Sequence, residues 1–176
     1  MDMSRPARKK TTARRVAAIV LLVLVGLAFA PPWWLSQPES QLVGPAFVID
    51  GDTIRIDDER VRIREVDAPD ARQTCERPDG TQWSCGERAM LALSAWIGHR
   101  IVTCEIGGRT ASGEQPAQCS VDGADVARWL ASEGWAVPSQ DCSCLLIRFA
   151  SWRAKSDALG LWSGSFVMPW DWRNAN

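Results

Sequence analysis

One apolar segment near the N-terminus most constrains the fold, because it divides the chain into two parts that we expect on opposite sides of a membrane. Residues 16–35 carry no charged side chain, and the 15 residues before them contain six basic groups. About 20 apolar residues suffice for a helix to cross a bilayer, and basic flanks stay on the cytoplasmic side. We therefore predict a basic cytoplasmic segment over 1–15, a transmembrane anchor over 16–35 and an extracytoplasmic body.

The same segment has an alternative interpretation as a cleaved secretory signal. Ala28-Phe29-Ala30 resembles the small-residue motif of a cleavage site. Pro31 would follow the cut directly, which is an unfavourable position for cleavage and favours the anchor. Both interpretations place the body outside the cytoplasm, and for a bacterial chain the anchor predicts a single-pass inner-membrane protein with a periplasmic C-terminal domain.

The body of the chain is acidic. Beyond residue 30 the chain has 14 basic and 20 acidic side chains, a formal charge of −6. Affinity for nucleic acid comes mainly from Lys and Arg side chains that neutralise phosphates. The charge therefore argues against a general nucleic-acid binder and restricts any binding of single-stranded DNA or RNA to a local site.

All six cysteines lie in this body, which suits an oxidising compartment. An even number predicts disulfides, although six cysteines allow 15 connectivities. Zinc is the weaker alternative, because the chain has no C-x-x-C pair and His99 is its only histidine. The cysteines are Cys75, Cys85, Cys104, Cys119, Cys142 and Cys144.

Short periodic segments follow a polar linker, which we place at 36–45. Asp50-Gly51-Asp52 between two β-rich runs predicts a hairpin, and Val61–Val66 alternates with the period of a half-buried strand. Two later strands and two or three helices complete the pattern. The sequence thus predicts a mainly β, α+β domain over 46–165, a five-stranded OB-fold barrel, after one transmembrane helix and before an aromatic tail at 166–176.

Two motifs carry most of the chemical information. Asp50-Gly51-Asp52-Thr53 is the first, and the second runs from Arg62 to Asp70 with the pattern R-x-x-x-V-D-x-P-D. Together they resemble the thermonuclease (staphylococcal nuclease-like) family, which has a D-G-D-T turn followed by R-x-x-x-(V/I)-D-x-P-E. The resemblance covers about 120 residues and includes the Gly160-Leu161-Trp162 ending.

The resemblance implies calcium-dependent hydrolysis of phosphodiesters in nucleic acid. It implies that Asp52 and Asp67 bind the metal through carboxylates and Ala68 through its backbone carbonyl. Asp50 would lie next to these ligands without binding the metal itself. Arg62 would bind the phosphate as the first catalytic arginine.

Two positions depart from the family pattern. The family's base is the Glu after the proline, whereas this chain has Asp70, one methylene shorter; displacements of ~1 Å can cost about 10²-fold in rate. The family's second arginine aligns with Glu114, and an arginine that stabilises a phosphoryl transition state is typically worth ~10³–10⁵ in rate. Arg109 in the same loop is a candidate substitute.

We expect disulfides Cys75–Cys85, after the site turn, and Cys104–Cys119, between neighbouring strands. Cys142 and Cys144 are left to pair with each other or with partners outside the chain. Trp170-Asp171-Trp172-Arg173 in the tail has two interpretations, packing against the barrel or an aromatic patch for a protein partner.

Two functional hypotheses follow. The first is a membrane-anchored nuclease with Asp52 and Asp67 on calcium, Arg62 on phosphate and Asp70 orienting water. The second is a non-catalytic OB-fold module for partner or ligand binding in the cell envelope, which Glu114, Asp70 and the acidic body favour.

Overall fold

Five strands close into a β-barrel in the part of the chain that the computed structural model describes, residues 40–107 and 115–175. The described residues contain ten strands, of which five form the barrel. In chain order the ten are β1 (Gln41–Asp50), β2 (Thr53–Ile56), β3 (Glu59–Ile63), β4 (Val66–Asp67), β5 (Cys75–Glu76), β6 (Gln82–Trp83), β7 (Ile101–Ile106), β8 (Gln115–Val121), β9 (Ala124–Asp125) and β10 (Val137–Pro138). The antiparallel order β3-β2-β1-β7-β8 forms the wall, and a parallel pairing of β3 with β8 closes it.

Four α-helices surround this barrel within the described residues, which establishes the α+β class. They are α1 (Cys85–Ile97), α2 (Val126–Ser132), α3 (Leu145–Ser156) and α4 (Pro169–Ala175). A 3₁₀ helix over Gly160–Ser163 precedes α4. The sequence predicts two or three helices, and α4 is the additional one. Its large apolar side chains, Trp170 and Trp172, are two residues apart, which is not helical spacing, so packing rather than periodicity defines it.

The barrel interior and the helices that cover it share one apolar core. Alternation along β2 and β3 places every second side chain inside, as period-two strands require, and α1 and α2 each add one apolar face. The fully buried members include Ile54, Ile56, Val61, Ile63, Leu93, Ile97, Val102, Val121, Val126 and Leu130.

The first strand begins before the predicted domain boundary at residue 46. Residues Gln41–Pro45 pair with β7 in register, with Pro45 opposite Ile101. The glycine and proline at its end and the polar residues 36–41 make the predicted linker polar and turn-like in composition. The backbone hydrogen bonds of residues 41–45 nevertheless make them part of the barrel, so the linker predicted at 36–45 is wrong for these residues.

A second, smaller apolar cluster joins the C-terminal part of the chain to the hairpin β5–β6. Its buried members are Cys75, Cys85, Val137 and Leu161, and the partly buried side chains packed on them are Trp83, Trp162, Phe166, Met168 and Trp170. The aromatic tail therefore packs against the body, which was one of its two predicted interpretations.

The predicted segments 1–15 and 16–35 lie outside the described residues. Among the described residues, no helix combines the length and the apolar character that crossing a bilayer requires.

Candidate active site

The turn between β1 and β2 presents a buried carboxylate, that of Asp52. Its Oδ1 accepts a hydrogen bond from the Thr53 hydroxyl at 3.0 Å, and its Oδ2 accepts one from the backbone N–H of Ala68 at 3.0 Å. The carboxylate is therefore tied both to its own hairpin and to the segment that follows β4. These contacts within the protein hold the Asp52 carboxylate in place without a bound ligand.

Arg62 on β3 joins that carboxylate to the one on β4. Its Nη2 lies 3.0 Å from Asp52 Oδ2 and 2.8 Å from Asp67 Oδ1. The Asp52 and Asp67 side chains are 5% and 8% exposed, whereas Arg62 is 31% exposed. The three charged residues singled out in the two motifs therefore converge at one end of the barrel.

Gly51 allows the turn to approach this segment closely. A Cβ at Gly51 would lie 2.7 Å from the Cβ of Ala68 and 3.1 Å from that of Ala89. Such a side chain would have to push the D-G-D turn away from the residue after Asp67. Steric crowding thus requires a glycine at position 51, and this glycine keeps Asp52 within hydrogen-bonding distance of its partners.

Two further acidic residues flank the pair. Asp50 Oδ1 accepts the backbone N–H of Gly51 at 2.8 Å. Asp70 Oδ1 accepts the backbone N–H of Arg72 at 3.1 Å and lies 3.7 Å from the Arg72 Nε. The Asp70 side chain is 27% exposed, so the residue predicted as the base stands at the edge of the site with access to solvent.

Burial and crowding of like charges shift the ionisation of this cluster. Desolvation raises the pKa of Asp50 to about 6, and the nearby charges of Asp52 and Asp70 act in the same direction. Desolvation also raises the pKa of Asp52, against the opposing effect of Arg62. Both carboxyl groups therefore retain their protons to a higher pH than a solvent-exposed aspartate does.

A second arginine reaches the site from an element that sequence analysis did not connect with it. The Nη2 of Arg173, on α4, lies 2.8 Å and 2.7 Å from the two oxygens of Asp67. Burial lowers the pKa of Arg173, but its hydrogen bonds to Asp67 and the charges of Asp52 and Asp70 outweigh that effect and raise it. The only sequence signal was a lone cation in an aromatic tail.

A groove of about 750 Å³ opens beside these residues. Arg62, Arg64 and Arg173 line it together with Asp67 and Trp170. Glu65 and Asp141 line it as well, so three guanidinium groups face three carboxylates and the groove has no formal net charge. Arg62 and Arg173, which meet at Asp67, give one part of it donors for an anionic ligand, and the Trp170 indole adds an apolar face.

All six cysteines are paired. The disulfides Cys75–Cys85 and Cys104–Cys119 are those expected, and Cys142 pairs with Cys144. This set uses every thiol and supports disulfides over a zinc site.

The loop between β7 and β8 contains one of the two departures from the family pattern and the candidate substitute for the missing arginine. Glu114 and the candidate Arg109 both lie in residues 108–114, outside the described residues. Gly107 before the loop and Gln115 after it border the site end of the barrel, since β8 pairs with β3 at Val61 and Arg62.

The carboxylates suit a hard cation with oxygen ligands. Within residues 40–107 and 115–175 no three His, Cys, Asp or Glu side chains are arranged as a metal site, so water would supply most ligands, as it often does for such ions. The charge balance is compatible with a cation: Asp50, Asp52, Asp67 and Asp70 carry up to four negative charges when ionised, against the three guanidinium groups of Arg62, Arg72 and Arg173.

Comparison with known proteins gives one relative of this chain. No family model matches it. The succinoglycan biosynthesis protein ExoI of Rhizobium meliloti (strain 1021) is 40% identical over 123 residues, which make up 69% of this chain and 64% of that protein. The chain thus spans just under two thirds of the length of this relative.

Proposed function

We propose that this chain is a metal-assisted phosphodiesterase of the thermonuclease type that acts on single-stranded DNA or RNA. The observation that carries the proposal is the bridge made by Arg62, whose Nη2 contacts both Asp52 and Asp67. A cation site next to an arginine that faces a groove is the arrangement that stabilises negative charge on a phosphate. The proposal includes the OB type of five-stranded barrel.

The position of each site residue determines its role in the proposed reaction. Asp52 and Asp67 are buried carboxylates that would hold calcium, with the carbonyl of Ala68 as a further oxygen and Asp50 behind them. When bound, calcium would neutralise charge that develops on the phosphate oxygens. Arg62, with part of its guanidinium open to the groove, would bind and orient the phosphate.

Asp70 would take the proton from the attacking water. It is accessible at the rim, and the neighbouring N–H of Arg72 holds one of its oxygens. Among the described residues its other oxygen has no hydrogen-bond donor, so that oxygen is available to a water molecule. Its side chain is shorter than the glutamate of the family, which supports a slow reaction.

Compartment and topology form part of the same proposal. Three disulfides support an oxidising location, and the apolar segment 16–35 supports a bacterial inner-membrane anchor with the barrel on the periplasmic side.

A second candidate function comes from the relative. Its name assigns it to succinoglycan biosynthesis, which supports a non-catalytic OB-fold module that binds a ligand or protein partner in that process in the cell envelope. The acidic body and Glu114 are compatible with this alternative.

Cleavage assays separate the two candidates. The full-length chain, purified in detergent with its disulfides intact, is incubated with labelled single-stranded DNA and RNA in calcium or in EDTA. The nuclease proposal expects EDTA-sensitive cleavage that Arg62→Gln abolishes and Asp70→Glu increases. An inert natural chain whose double variant Asp70→Glu, Glu114→Arg cuts would identify a decayed nuclease and favour the second candidate. Inert forms throughout would contradict a phosphodiesterase site.

A further inference from the structure

The last helix delivers a guanidinium group to the site from 106 residues beyond Asp67 in sequence. Arg173 Nη2 and Arg62 Nη2 each lie 2.8 Å from the same oxygen, Asp67 Oδ1. The two nitrogens are therefore no farther apart than twice that distance. One phosphate group, with several acceptor oxygens, can contact two guanidinium groups at this separation.

Each arginine holds the carboxylates with a single nitrogen. The contacts of Arg62 and of Arg173 with the aspartates all use Nη2. Among the described residues, neither side chain has a protein partner for Nε or Nη1. Because a guanidinium group has five N–H donors, each arginine keeps three of them for a ligand.

These donors are accessible, whereas the carboxylates behind them are not. Arg62 and Arg173 are 31% and 36% exposed, against 5% for Asp52 and 8% for Asp67. Both arginines line the groove beside Trp170. A phosphate that reaches the part of the groove next to Asp67 therefore meets two guanidinium groups, although Glu65 and Asp141 line the groove elsewhere.

Arg173 is held in place by the body. Pro169 at the start of α4 is buried. Trp170 packs on the smaller apolar cluster, which contains the disulfide Cys75–Cys85 and is called the Cys75–Cys85 cluster. Gln73, fully buried, donates its side-chain N–H to the carbonyl of Val167 at 2.7 Å. A guanidinium group on such a support is preorganised, which is what a transition-state contact requires.

We infer that Arg173 is the second phosphate-binding arginine of this site and that it contacts, together with Arg62, one phosphodiester of a single-stranded nucleic acid. The inference rests on the proposed function and deepens it. It supplies from α4 the positive charge that the aligned position, Glu114, does not provide. The alternative role for Arg173 is structural, as a counter-ion that only neutralises Asp67.

Binding is measured first, apart from cleavage and metal. The probe is a fluorescent, phosphorothioate-linked single-stranded oligothymidylate in EDTA, titrated with the full-length chain in detergent. Arg173→Gln should weaken binding at least ~10-fold, as expected for loss of a hydrogen bond to a charged group, and should lower the slope of log K against log salt by ~0.7. Arg153→Gln, an exposed change on α3 outside the groove, should change neither.

The Asp67→Asn background separates the two roles of Arg173. If the arginine contacts phosphate, adding Arg173→Gln to Asp67→Asn still weakens binding ~10-fold. If it only neutralises Asp67, the second change has no effect once that charge is gone, and this result would overturn the inference.

Cleavage then distinguishes failure of the inference from failure of the proposed function. With calcium, Arg173→Gln should lower kcat/KM at least ~100-fold. A natural chain that cuts and an Arg173→Gln variant that cuts equally well would refute the inference and leave the proposed function standing. A natural chain that does not cut but binds the probe through Arg173 would refute the proposed function and leave the phosphate contact. Absence of both binding and cleavage refutes both.

Arg173→Lys keeps the test decisive if Arg173→Gln unfolds. Lysine keeps a positive charge beside Asp67 but cannot reproduce the planar donor geometry of arginine. The variant should retain the melting temperature and lose at least ~10-fold in kcat/KM. Full activity in Arg173→Lys would overturn the inference.

Discussion

Gly86 stands so close to Asp70 that a Cβ at Gly86 would lie 1.7 Å from the Asp70 carbonyl oxygen. The first turn of α1 therefore packs directly on the backbone that carries the predicted base. The backbone N–H of Gly86 also donates to the carbonyl of Gln73 at 3.2 Å. Helix α1 thus helps to set the position of Asp70, although no side chain of α1 has a role in the proposed chemistry.

Gly86→Ala is expected to destabilise the protein and to displace Asp70. The added methyl group cannot be accommodated without moving the helix or the Asp70 segment, and overpacking of this kind costs about 1–3 kcal/mol. Urea unfolding gives the change in stability, and the cleavage assay gives the change in rate. Glu87→Ala, at the next and exposed position of α1, should stay within about 0.5 kcal/mol. A Gly86→Ala variant as stable as the natural chain would show that the contact can relax.

Arg62→Gln should destabilise the protein as well as inactivate it. The change removes the charged hydrogen bonds of Arg62 to two carboxylates that are 5% and 8% exposed, and hydrogen bonds to charged groups contribute about 1.5–3 kcal/mol. Asp52 keeps the Ala68 N–H and Asp67 keeps Arg173 as partners. Arg60→Gln is the matched control, because Arg60 lies two residues earlier on β3 and is exposed. Denaturant unfolding in EDTA should show a loss for Arg62→Gln alone. Equal stabilities would mean that the bridge contributes nothing to the folded state.

Calcium should raise the melting temperature through Asp52 and Asp67. A ligand that binds only the folded state stabilises it by about 2.7 kcal/mol at 100 times its dissociation constant. Asp52→Asn and Asp67→Asn should each abolish this shift. Asp141→Asn should retain it, because Asp141 is an exposed residue of the same groove that bonds only to the Ser139 hydroxyl among the described residues. A calcium shift that survives both site changes would place the ion elsewhere on the chain.

Much of the barrel could be predicted from local pattern. Period-two alternation marks the strands, and the Gly51 turn marks the first hairpin. The site carboxylates and Arg62 could be proposed together because the two motifs resemble one family pattern. The structure gives the physical reason for their meeting, since Thr53 of the first motif pairs with Arg62 of the second in the β2–β3 ladder. Adjacent pairing brings the motifs to one end of the barrel, and this is a consequence of hairpin geometry.

The rest depends on contacts between distant parts of the chain. Residues 41–45 offer only one apolar pair, Leu42-Val43, before a glycine and a proline, and the ladder with β7 defines them as a strand. Helix α4 has no apolar repeat of helical spacing. Arg173 reaches Asp67 because aromatic side chains pack the tail against the Cys75–Cys85 cluster. Spacing rules relate neighbours along a helix or a hairpin, so none of them could connect residues 67 and 173.

The disulfide Cys75–Cys85 is expected to hold Arg173 in place from a distance. The segment before α4 is attached to the hairpin that this disulfide closes: Glu76 and Ser165 exchange two backbone hydrogen bonds of 2.9 Å. Leu161 is fully buried against the disulfide, with Met168 and Trp170 packed beside it. Loss of the covalent link should therefore loosen the whole support of α4.

We expect Cys75→Ser, Cys85→Ser to lose about 2–4 kcal/mol, the usual worth of a native disulfide, and to speed hydrogen exchange at residues 165–175. The matched variant Cys104→Ser, Cys119→Ser removes a disulfide between β7 and β8 inside the barrel. It should lose comparable stability while exchange at 165–175 stays close to that of the natural chain. Oligonucleotide binding should follow the exchange data, with a larger loss in the first variant because Arg173 is no longer held beside Arg62. If both variants changed exchange in α4 equally, the disulfide would stabilise the fold without positioning the arginine.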